Sequence, residues 1–276
     1  MQCSGDLVVA TDSIADGTHF QLPTHSLAQV GHKAIAVNLS DFAAMGAKPV
    51  AATLNFTCPK SFGLVELKEL FTGIANTAEQ FGVQIIGGDT NRWDGRLVVG
   101  VTVFGSKYPG TTDDFWRMSG AKAKDAILVT GALGGSIAGK HIDFQPRLNV
   151  SKYLIENYKV NAATDITDSL SIDLAAVALK SNCGFELMGK RIPISEDATS
   201  LARESGKTPL EHALYDGEDF ELILCVDEAE AGRILADKNC ECTFTKIGMM
   251  NSSGKFTITN ADGGGTTELK VEGFIH

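Results

Sequence analysis

Apolar positions along the first hundred residues follow two different spacings. Short, mostly apolar runs predict buried strands, and longer segments with apolar residues three or four positions apart predict amphipathic helices. The strands are predicted at DLVVAT, VAATLNFT, VQIIGG and LVVGVTVFG, and the helices at HSLAQVGHKAIAVNLSDFAAMG and VELKELFTGIANTAEQFG. The pattern therefore predicts a β-α-β-α-β-β unit that ends near Gly105.

A polar stretch with several turn residues, SKYPGTTDDFWRMSGAKAKD, then interrupts the pattern. We place a domain boundary within it, which gives one domain at residues 1–107 and a second at residues 118–276. Beyond it, strands are predicted at DAILVTG, FELMG, DFELILCV, CTFTKIGMM and KFTITN, and helices at GSIAGKHI, SIDLAAVALKSN and DEAEAGRILADKN. The chain is thus expected to be an α/β or α+β protein.

Composition and charge narrow the classes of partner. The 276 residues are 43% hydrophobic and carry a net charge of -10, which opposes non-specific binding to nucleic-acid phosphates. No apolar run approaches the roughly 20 residues that cross a bilayer. The start MQCSGDLVV lacks the basic and apolar regions of a signal peptide. We therefore expect a cytoplasmic protein without nucleic-acid or membrane partners.

The cysteines do not form a metal-binding pattern. Of the six, only Cys240 and Cys242 are close together, as C-E-C. A structural zinc site usually shows two such pairs or a matching pair of histidines. We expect free thiols in a reducing compartment.

Aspartates recur where apolar segments end, in VVATDSIADGTHF, NLSD, IIGGDT and ATDITDSL. The acids are Asp12, Asp41, Asp89, Asp165 and Asp168. If these side chains met, each pair about 4 Å apart would repel by roughly 4 kcal/mol at an effective dielectric constant of about 20. Carboxylate oxygens suit a hard cation, and Mg²⁺ typically binds a few carboxylates together with substrate phosphates. The acids therefore predict a Mg²⁺ site that admits a phosphate ligand.

A structural interpretation of these acids also stands. Asp165 and Asp168 lie beside Thr164, Thr167 and Ser169, just before a predicted helix. Residues of these types cap helices and stabilise turns. For any one acid taken alone, a helix cap or a turn is the favoured interpretation.

One segment comes close to a nucleotide-binding loop. GGSIAGKH, residues 134–141, fits G-x-x-x-x-G-K after a strand, but His141 stands where that motif needs the Ser or Thr that ligates Mg²⁺. Gly134 and Gly135 fit a tight strand-to-helix turn. We therefore interpret the segment as a turn.

The ordered motifs TDSIADGTHF, KAIAVNLSDFAAMGAKPV, IIGGDTNR, DAILVTGALGGSIAG, DITDSLSIDL and LYDGEDFELIL together resemble the thiamine-monophosphate kinase family, from about residue 6 to residue 275. That family belongs to the superfamily of aminoimidazole ribonucleotide synthetase. The resemblance implies a two-domain α+β fold. Its N-terminal α/β domain carries a mixed sheet and forms a homodimer, and its C-terminal α/β domain packs helices on a mixed sheet.

The resemblance also implies a reaction and a set of site residues. The family transfers the γ-phosphoryl group of ATP directly to thiamine monophosphate with the help of Mg²⁺. The implied metal ligands are Asp12, Asp41, Asp89, Asp165 and Asp168, of which Asp89 and Asp168 are also assigned to catalysis. The implied nucleotide contacts are Thr11, Gly88, Thr167, Arg117 and Arg147, and the implied substrate contacts are His19, Glu218 and Phe274.

The chain departs from the family pattern at three places. The family has a GDDAA-type segment before the first motif, and the sequence given begins at MQCSGDLVV without it, so we expect either a missing segment or an incomplete metal site. Ser169 replaces a family glycine, which would cost roughly 1–3 kcal/mol if the backbone there needed a positive φ. Met118 replaces the arginine before SGA, so that a phosphate contact is expected to move to Arg117 or be lost, while Arg147 lies in FQPR.

Two alternatives remain open from the sequence. One is another ATP-using branch of the superfamily, against which Cys3, the only candidate for a reactive cysteine near the start, lacks the surrounding glycine-rich loop. The other is a homologue that binds nucleotide or thiamine phosphates without turnover.

Overall fold

The computed structural model describes residues 6–111, 114–259 and 265–274, so that Cys3 lies outside the described residues. The first domain consists of β1 (Val8–Ala15), α1 (Leu27–Ala44), β2 (Lys48–Pro59), α2 (Leu64–Gln80), β3 (Gln84–Trp93) and β4 (Val98–Ser106). This order confirms the predicted β-α-β-α-β-β unit.

The four strands form a mixed sheet in the order β1-β4-β2-β3. Strand β4 runs antiparallel to β1 and β2, whereas β2 and β3 are parallel. The alternation of side chains places Val99, Val101 and Val103 in the core beneath α1 and α2. The two helices cross closely, because a Cβ atom on Gly31 would lie 2.2 Å from the Leu70 carbonyl oxygen. The opposite face of the sheet, which we call the open face, carries mostly polar residues.

The second domain contains seven strands and six α-helices among the described residues. They are β5 (Ala126–Thr130), α3 (Lys140–Asp143), α4 (Leu148–Asn157), β6 (Ala162–Asp165), α5 (Leu170–Lys180), β7 (Gly184–Met188), α6 (Glu196–Ser205), α7 (Pro209–Tyr215), β8 (Leu222–Val226), α8 (Glu228–Ala236), β9 (Phe244–Asn251), β10 (Phe256–Thr259) and β11 (Thr266–Glu268).

These strands form a sheet in the order β11-β10-β7-β9-β5-β8-β6. The sheet is mixed, because β10 and β7 are parallel while the other neighbouring pairs are antiparallel. The predicted α+β fold with helices and mixed sheets is confirmed. No helix of the described residues is long and apolar enough to cross a membrane.

Helix α1 belongs to the first domain but is buried by both domains. It packs against α2 and the first sheet, and also against α3, α4 and β6 of the second domain. One apolar cluster accordingly contains Val30 and Leu39 of α1 together with Leu148 of α4 and Leu222 of β8. Side chains on α1 are therefore in position to join residues from the two domains.

Candidate functional site

Three carboxylates from three different elements meet where the two domains join. Asp12 lies in β1, Asp41 in α1, and the buried Asp165 is the last residue of β6. Burial raises the pKa of Asp41 to about 8, with further contributions from the charges of Asp165 and Asp12 and from a hydrogen bond with Asp12. Burial also raises the pKa of Asp165 to about 6, although Ser40 donates a hydrogen bond to it. The surroundings therefore disfavour the fully ionised form of this cluster.

The loop after β6 brings Asp168 close to this cluster, since the charge of Asp168 contributes to the raised pKa of Asp165. One oxygen of Asp173 accepts hydrogen bonds from the backbone N–H groups of Thr167, Asp168 and Ser169, at 2.9, 3.1 and 3.2 Å. A single buried carboxylate thus holds the whole turn. Sequence analysis missed Asp173, whose spacing from the loop gave no sign of this role.

The backbone at Ser169 does not need a positive φ, so the condition for strain is not met. Its φ of 171° is extended, a conformation open to any residue. The Ser169 side chain caps α5 by accepting a hydrogen bond from the Ile172 N–H at 3.1 Å, and it donates to the Glu272 carbonyl at 2.7 Å. Serine therefore fits this position and ties the loop to the C-terminal segment.

A pocket of about 180 Å³ lies beside the carboxylates. It is lined by Asp12, Ser13, Ile14, His19, Val37, Asp41, Thr167, Glu218 and Phe220. The structure thus brings together five of the residues singled out in the sequence. The pocket combines carboxylates at one side with an aromatic ring and aliphatic side chains.

Lys33, which sequence analysis missed, lies behind this pocket. It is completely buried in α1, and its ammonium donates to Glu218 at 2.6 Å and to the His19 carbonyl at 2.8 Å. Burial lowers the pKa of Lys33, and the charge of Glu218 opposes that shift. The available signal was its helical spacing: Lys33, Val37 and Asp41 occupy one face of α1.

Glu218 and Phe220 reach the pocket from a turn with unusual backbone angles. Their φ values are 60° and 49°, in the left-handed region that non-glycine residues seldom adopt. The turn is held by backbone hydrogen bonds from Glu218 to Thr167 and from Phe220 to Ile166. The ring of Phe220 also stacks on Phe144, with centroids 3.7 Å apart. Such strain is often found at functional sites, where the surroundings hold it.

Asp89 lies apart from the other acids. It pairs with Asn55 of β2, which pairs with Gly100 of β4, which pairs with Ser13 of β1. Three strand spacings of about 4.8 Å therefore separate Asp89 from Ser13, roughly 14 Å in all. Because side chains alternate along a strand, Asp89 is on the open face, whereas Asp12 points to the helix-covered face. The expectation that Asp12 and Asp89 follow the ends of strands is wrong, since both lie within strands.

Two implied nucleotide contacts lie on or near this open face. Thr11 hydrogen-bonds Thr102 there, with 2.9 Å between the hydroxyl oxygens. At Gly88, a Cβ atom would lie 2.2 Å from the Leu54 carbonyl oxygen. The close pairing of β2 and β3 alone therefore requires glycine at position 88.

The remaining implied contacts are spread over the second domain. Arg147 makes a two-pronged contact with the buried Glu221, at 2.7 and 2.6 Å. Arg117 is exposed, with Asp114 3.6 Å from its guanidinium. Phe274 lies next to the loop after β6, because its N–H donates to the Asp168 carbonyl at 2.9 Å. Of these three, only Phe274 borders the residues around the carboxylate cluster.

Family models match most of the chain. Residues 1–106 match the N-terminal domain of AIR synthase related protein, and residues 116–260 match its C-terminal domain. The thiamine-monophosphate kinase of Rhodopirellula baltica is 41% identical over 241 residues, which is 87% of this chain and 74% of that protein. The chain belongs to the thiamine-monophosphate kinase family. The recognition of this enzyme family from its motifs is confirmed.

Solved structures agree with this kinase fold. The thiamine-monophosphate kinase of Stenotrophomonas maltophilia K279a has a TM-score of 0.81 at 27% identity, over 92% of this chain and 85% of that chain. AaThiL complexed with AMPPCP and TMP has a TM-score of 0.84 over 99% of this chain and 87% of that chain. At 23% identity, the second comparison shows the fold alone.

In this member of the kinase family, the amides of the GGSIAGKH turn are already used within the protein. The N–H of Gly134 donates to Asp219 and that of Gly135 to Asp216, at 2.9–3.0 and 3.0 Å. Both glycines have positive φ, at 84° and 74°. The two carboxylates thus accept hydrogen bonds from N–H groups that a phosphate-binding loop would offer to a nucleotide. This agrees with the interpretation of the segment as a turn.

Proposed function

We propose that the protein catalyses the Mg²⁺-dependent transfer of the γ-phosphoryl group of ATP to thiamine monophosphate, giving ADP and thiamine diphosphate. The observation that carries this proposal is the meeting of Asp12, Asp41 and Asp165 beside a small, partly aromatic pocket. Phosphoryl transfer is catalysed mainly by positioning and by charge neutralisation. It needs no protein nucleophile, and the reaction matches the names of the curated relatives.

The carboxylate cluster fits Mg²⁺ in its chemistry. Its donors are oxygen atoms, and the pKa of Asp41 is raised first by burial and then by the charges of Asp165 and Asp12, which a cation would offset. Among the residues that the structure describes, no group of three His, Cys, Asp or Glu side chains could hold a metal ion by itself. Mg²⁺ would therefore take one or two of these carboxylates as ligands, together with water and the substrate phosphates. When bound, the metal would neutralise charge on the phosphates.

We assign Asp12, Asp41, Asp165 and Asp168 as the acids that supply ligands to the metal. We assign Asp168 to catalysis as well. Thr167 borders both the carboxylates and the pocket, so we place it against the phosphates. Thr11, Gly88, Arg117 and Arg147 remain predictions that rest on the family resemblance, and so does the role of Asp89 in metal binding and catalysis.

The pocket fits the organic end of the phosphate acceptor. Thiamine monophosphate carries a positively charged ring, and the pocket offers the Glu218 carboxylate, the Phe220 ring and the side chain of His19. A carboxylate and an aromatic face both favour a cationic ring. Phe274 lies near enough to the loop of Asp168 to border such a ligand.

We further propose that the protein forms a homodimer through the open face. We also propose that its two domains comprise residues 1–107 and 118–276. Half of the Val9 surface is exposed on the open face, and the same face carries Thr11, Thr53, Thr57, Thr102 and Asp89. Light scattering on the purified protein is expected to give twice the mass of the chain. A fully active monomer would contradict the homodimer.

The experiment that tests the function follows labelled γ-phosphate from ATP to thiamine monophosphate, with Mg²⁺ or with EDTA. We expect labelled thiamine diphosphate only with Mg²⁺, because the clustered carboxylates cannot accept the phosphates without a cation. A reaction without thiamine monophosphate controls for simple ATP hydrolysis. A folded protein that binds ATP with Mg²⁺ but transfers no label would instead be a binding homologue without turnover.

A further inference from the structure

Three segments that line the pocket are joined by one buried ammonium group. Lys33 comes from α1, His19 from the segment after β1, and Glu218 from the turn before β8 in the other domain. The Nζ atom of Lys33 lies 2.6 Å from Glu218 Oε1 and 2.8 Å from the His19 carbonyl oxygen. Both partners belong to the lining of the pocket. The position of Lys33 therefore links the two domains at the place where the acceptor is proposed to bind.

Lys33 cannot act by touching a ligand. Its exposed fraction is 0%, whereas the Glu218 side chain keeps 10% of its surface exposed. A buried lysine with a carboxylate partner stays in place because separating the two would leave an unpaired charge in the interior. Any effect of Lys33 on a ligand must pass through Glu218 and the His19 backbone.

The turn that carries Glu218 needs such a contact. Glu218 and Phe220 both have positive φ, and a strained conformation persists only where the surroundings determine it. The hydrogen bond from the Glu218 N–H to the Thr167 carbonyl, 2.7 Å long, fixes the backbone on one side. The Lys33 ammonium fixes the side chain on the other.

We propose that Lys33 is a positioning residue that sets the affinity of the pocket for the cationic organic end of the phosphate acceptor, by fixing Glu218 and the His19 backbone across the domain junction. This proposal rests on the proposed function, since it assumes that this pocket takes the acceptor. We place ATP at the carboxylate cluster, whereas the Lys33 ammonium donates hydrogen bonds to Glu218 and to the His19 carbonyl. We therefore expect Lys33 to affect the binding of the acceptor and not the binding of ATP.

The variant Lys33→Met keeps most of the side-chain volume and removes the charge. We expect its KM for thiamine monophosphate to rise about tenfold or more, with the KM for ATP changed less than about twofold. The matched control is Lys60→Met, which removes the same charge from an exposed pair with Asp94 and should change neither constant. A purely structural lysine would lower the melting temperature without separating the two KM values.

Because Lys33→Met leaves Glu218 buried and unpaired, a second variant combines it with Glu218→Gln and keeps the interior neutral. Glu218→Gln alone should weaken acceptor binding, and adding Lys33→Met should weaken it little further, since the two residues act as one unit. The overturning result is a folded Lys33→Met protein with an unchanged KM for thiamine monophosphate, or with equal changes in both KM values.

Binding separates failure of this inference from failure of the proposed function. Thiamine monophosphate should raise the melting temperature of the wild type, and it should do so much less for Lys33→Met. If the wild type binds the compound without transferring phosphate, the proposed function fails and this melting-temperature difference decides the role of Lys33. If the wild type neither binds nor phosphorylates it, both proposals fall.

Discussion

Replacing Asp41 by asparagine is expected to lower turnover by about 10³-fold while it raises the stability of the metal-free protein. The loss of turnover follows because a carboxylate ligand and its charge are removed where the phosphates are neutralised. The gain in stability follows because burial, with smaller contributions from the charges of Asp165 and Asp12, raises the pKa of Asp41 to about 8 and so disfavours its ionised form in the folded protein. Asparagine has the shape of the protonated acid and carries no charge at any pH. Steady-state kinetics with Mg²⁺ and thermal unfolding in EDTA measure the two effects.

The gain in stability should depend on pH in a defined direction. An aspartate ionises near pH 3.8 in the unfolded chain, and Asp41 does so near 8 in the folded protein. Between these values the folded state holds a proton that the unfolded state has released, so the metal-free wild type loses stability as the pH rises. The melting temperature of Asp41→Asn should therefore exceed that of the wild type by an amount that grows from pH 4 to pH 8. Part of the slope remains in the variant, because Asp165 has a pKa of about 6.

The control for this prediction is Asp94→Asn, which removes one acid from an exposed pair with Lys60. It should leave turnover and the pH dependence of stability unchanged. Turnover of Asp41→Asn within a few-fold of the wild type would show that Asp41 is not a metal ligand. A lower metal-free melting temperature for Asp41→Asn would show that the carboxylate supports the fold.

The elements of the first domain could be predicted because their apolar runs are long enough to show a period. The second domain was harder to predict, and the missed elements have physical reasons. Strand β6 has four residues, too few to show a pattern, and α6 buries only Ala198. Helix α7 did carry a local signal, because Thr208 and Glu211 form a capping box with Pro209 at the first helical position.

The acids show where prediction of the site stops. The sequence indicates that Asp12 and Asp89 are near strands, but the face that each occupies depends on strand pairing and on alternation along the strand. A shift of one residue in the strand register would move each acid to the opposite face of the sheet. The contact between Lys33 and Glu218 joins residues 185 positions apart, and the sequence around neither residue predicts it. The family resemblance assigned Glu218 to the substrate, but it gave no role to Lys33, the first residue of the motif KAIAVNLSDFAAMGAKPV.

Replacing Glu221 by glutamine is expected to lower the free energy of unfolding by about 3–5 kcal/mol, the range found when one partner of a buried ion pair is lost. Glu221 is almost completely buried, and it accepts hydrogen bonds from Arg147, Lys140 and Thr130. Burial alone would raise its pKa, but the hydrogen bond and charge of Arg147 and the charge of Lys140 hold the pKa below its usual value. Glutamine would remove the negative partner of Arg147 and leave Lys140 with the longer contact to Asp219, at 3.9 Å. Chemical denaturation of the two proteins at pH 7 measures the difference.

The chain provides a matched control on its surface. Glu230 contacts Arg233 at 2.7 Å with the arginine well exposed, so Glu230→Gln should cost less than about 1 kcal/mol. The double variant Glu221→Leu with Arg147→Met should recover much of the loss, because apolar side chains fill the space and Lys140, 27% exposed, can reach water. A cost below about 1 kcal/mol for Glu221→Gln would show that the two cations are solvated without it. Arg147 would then be available to bind a phosphate, as the family resemblance implies.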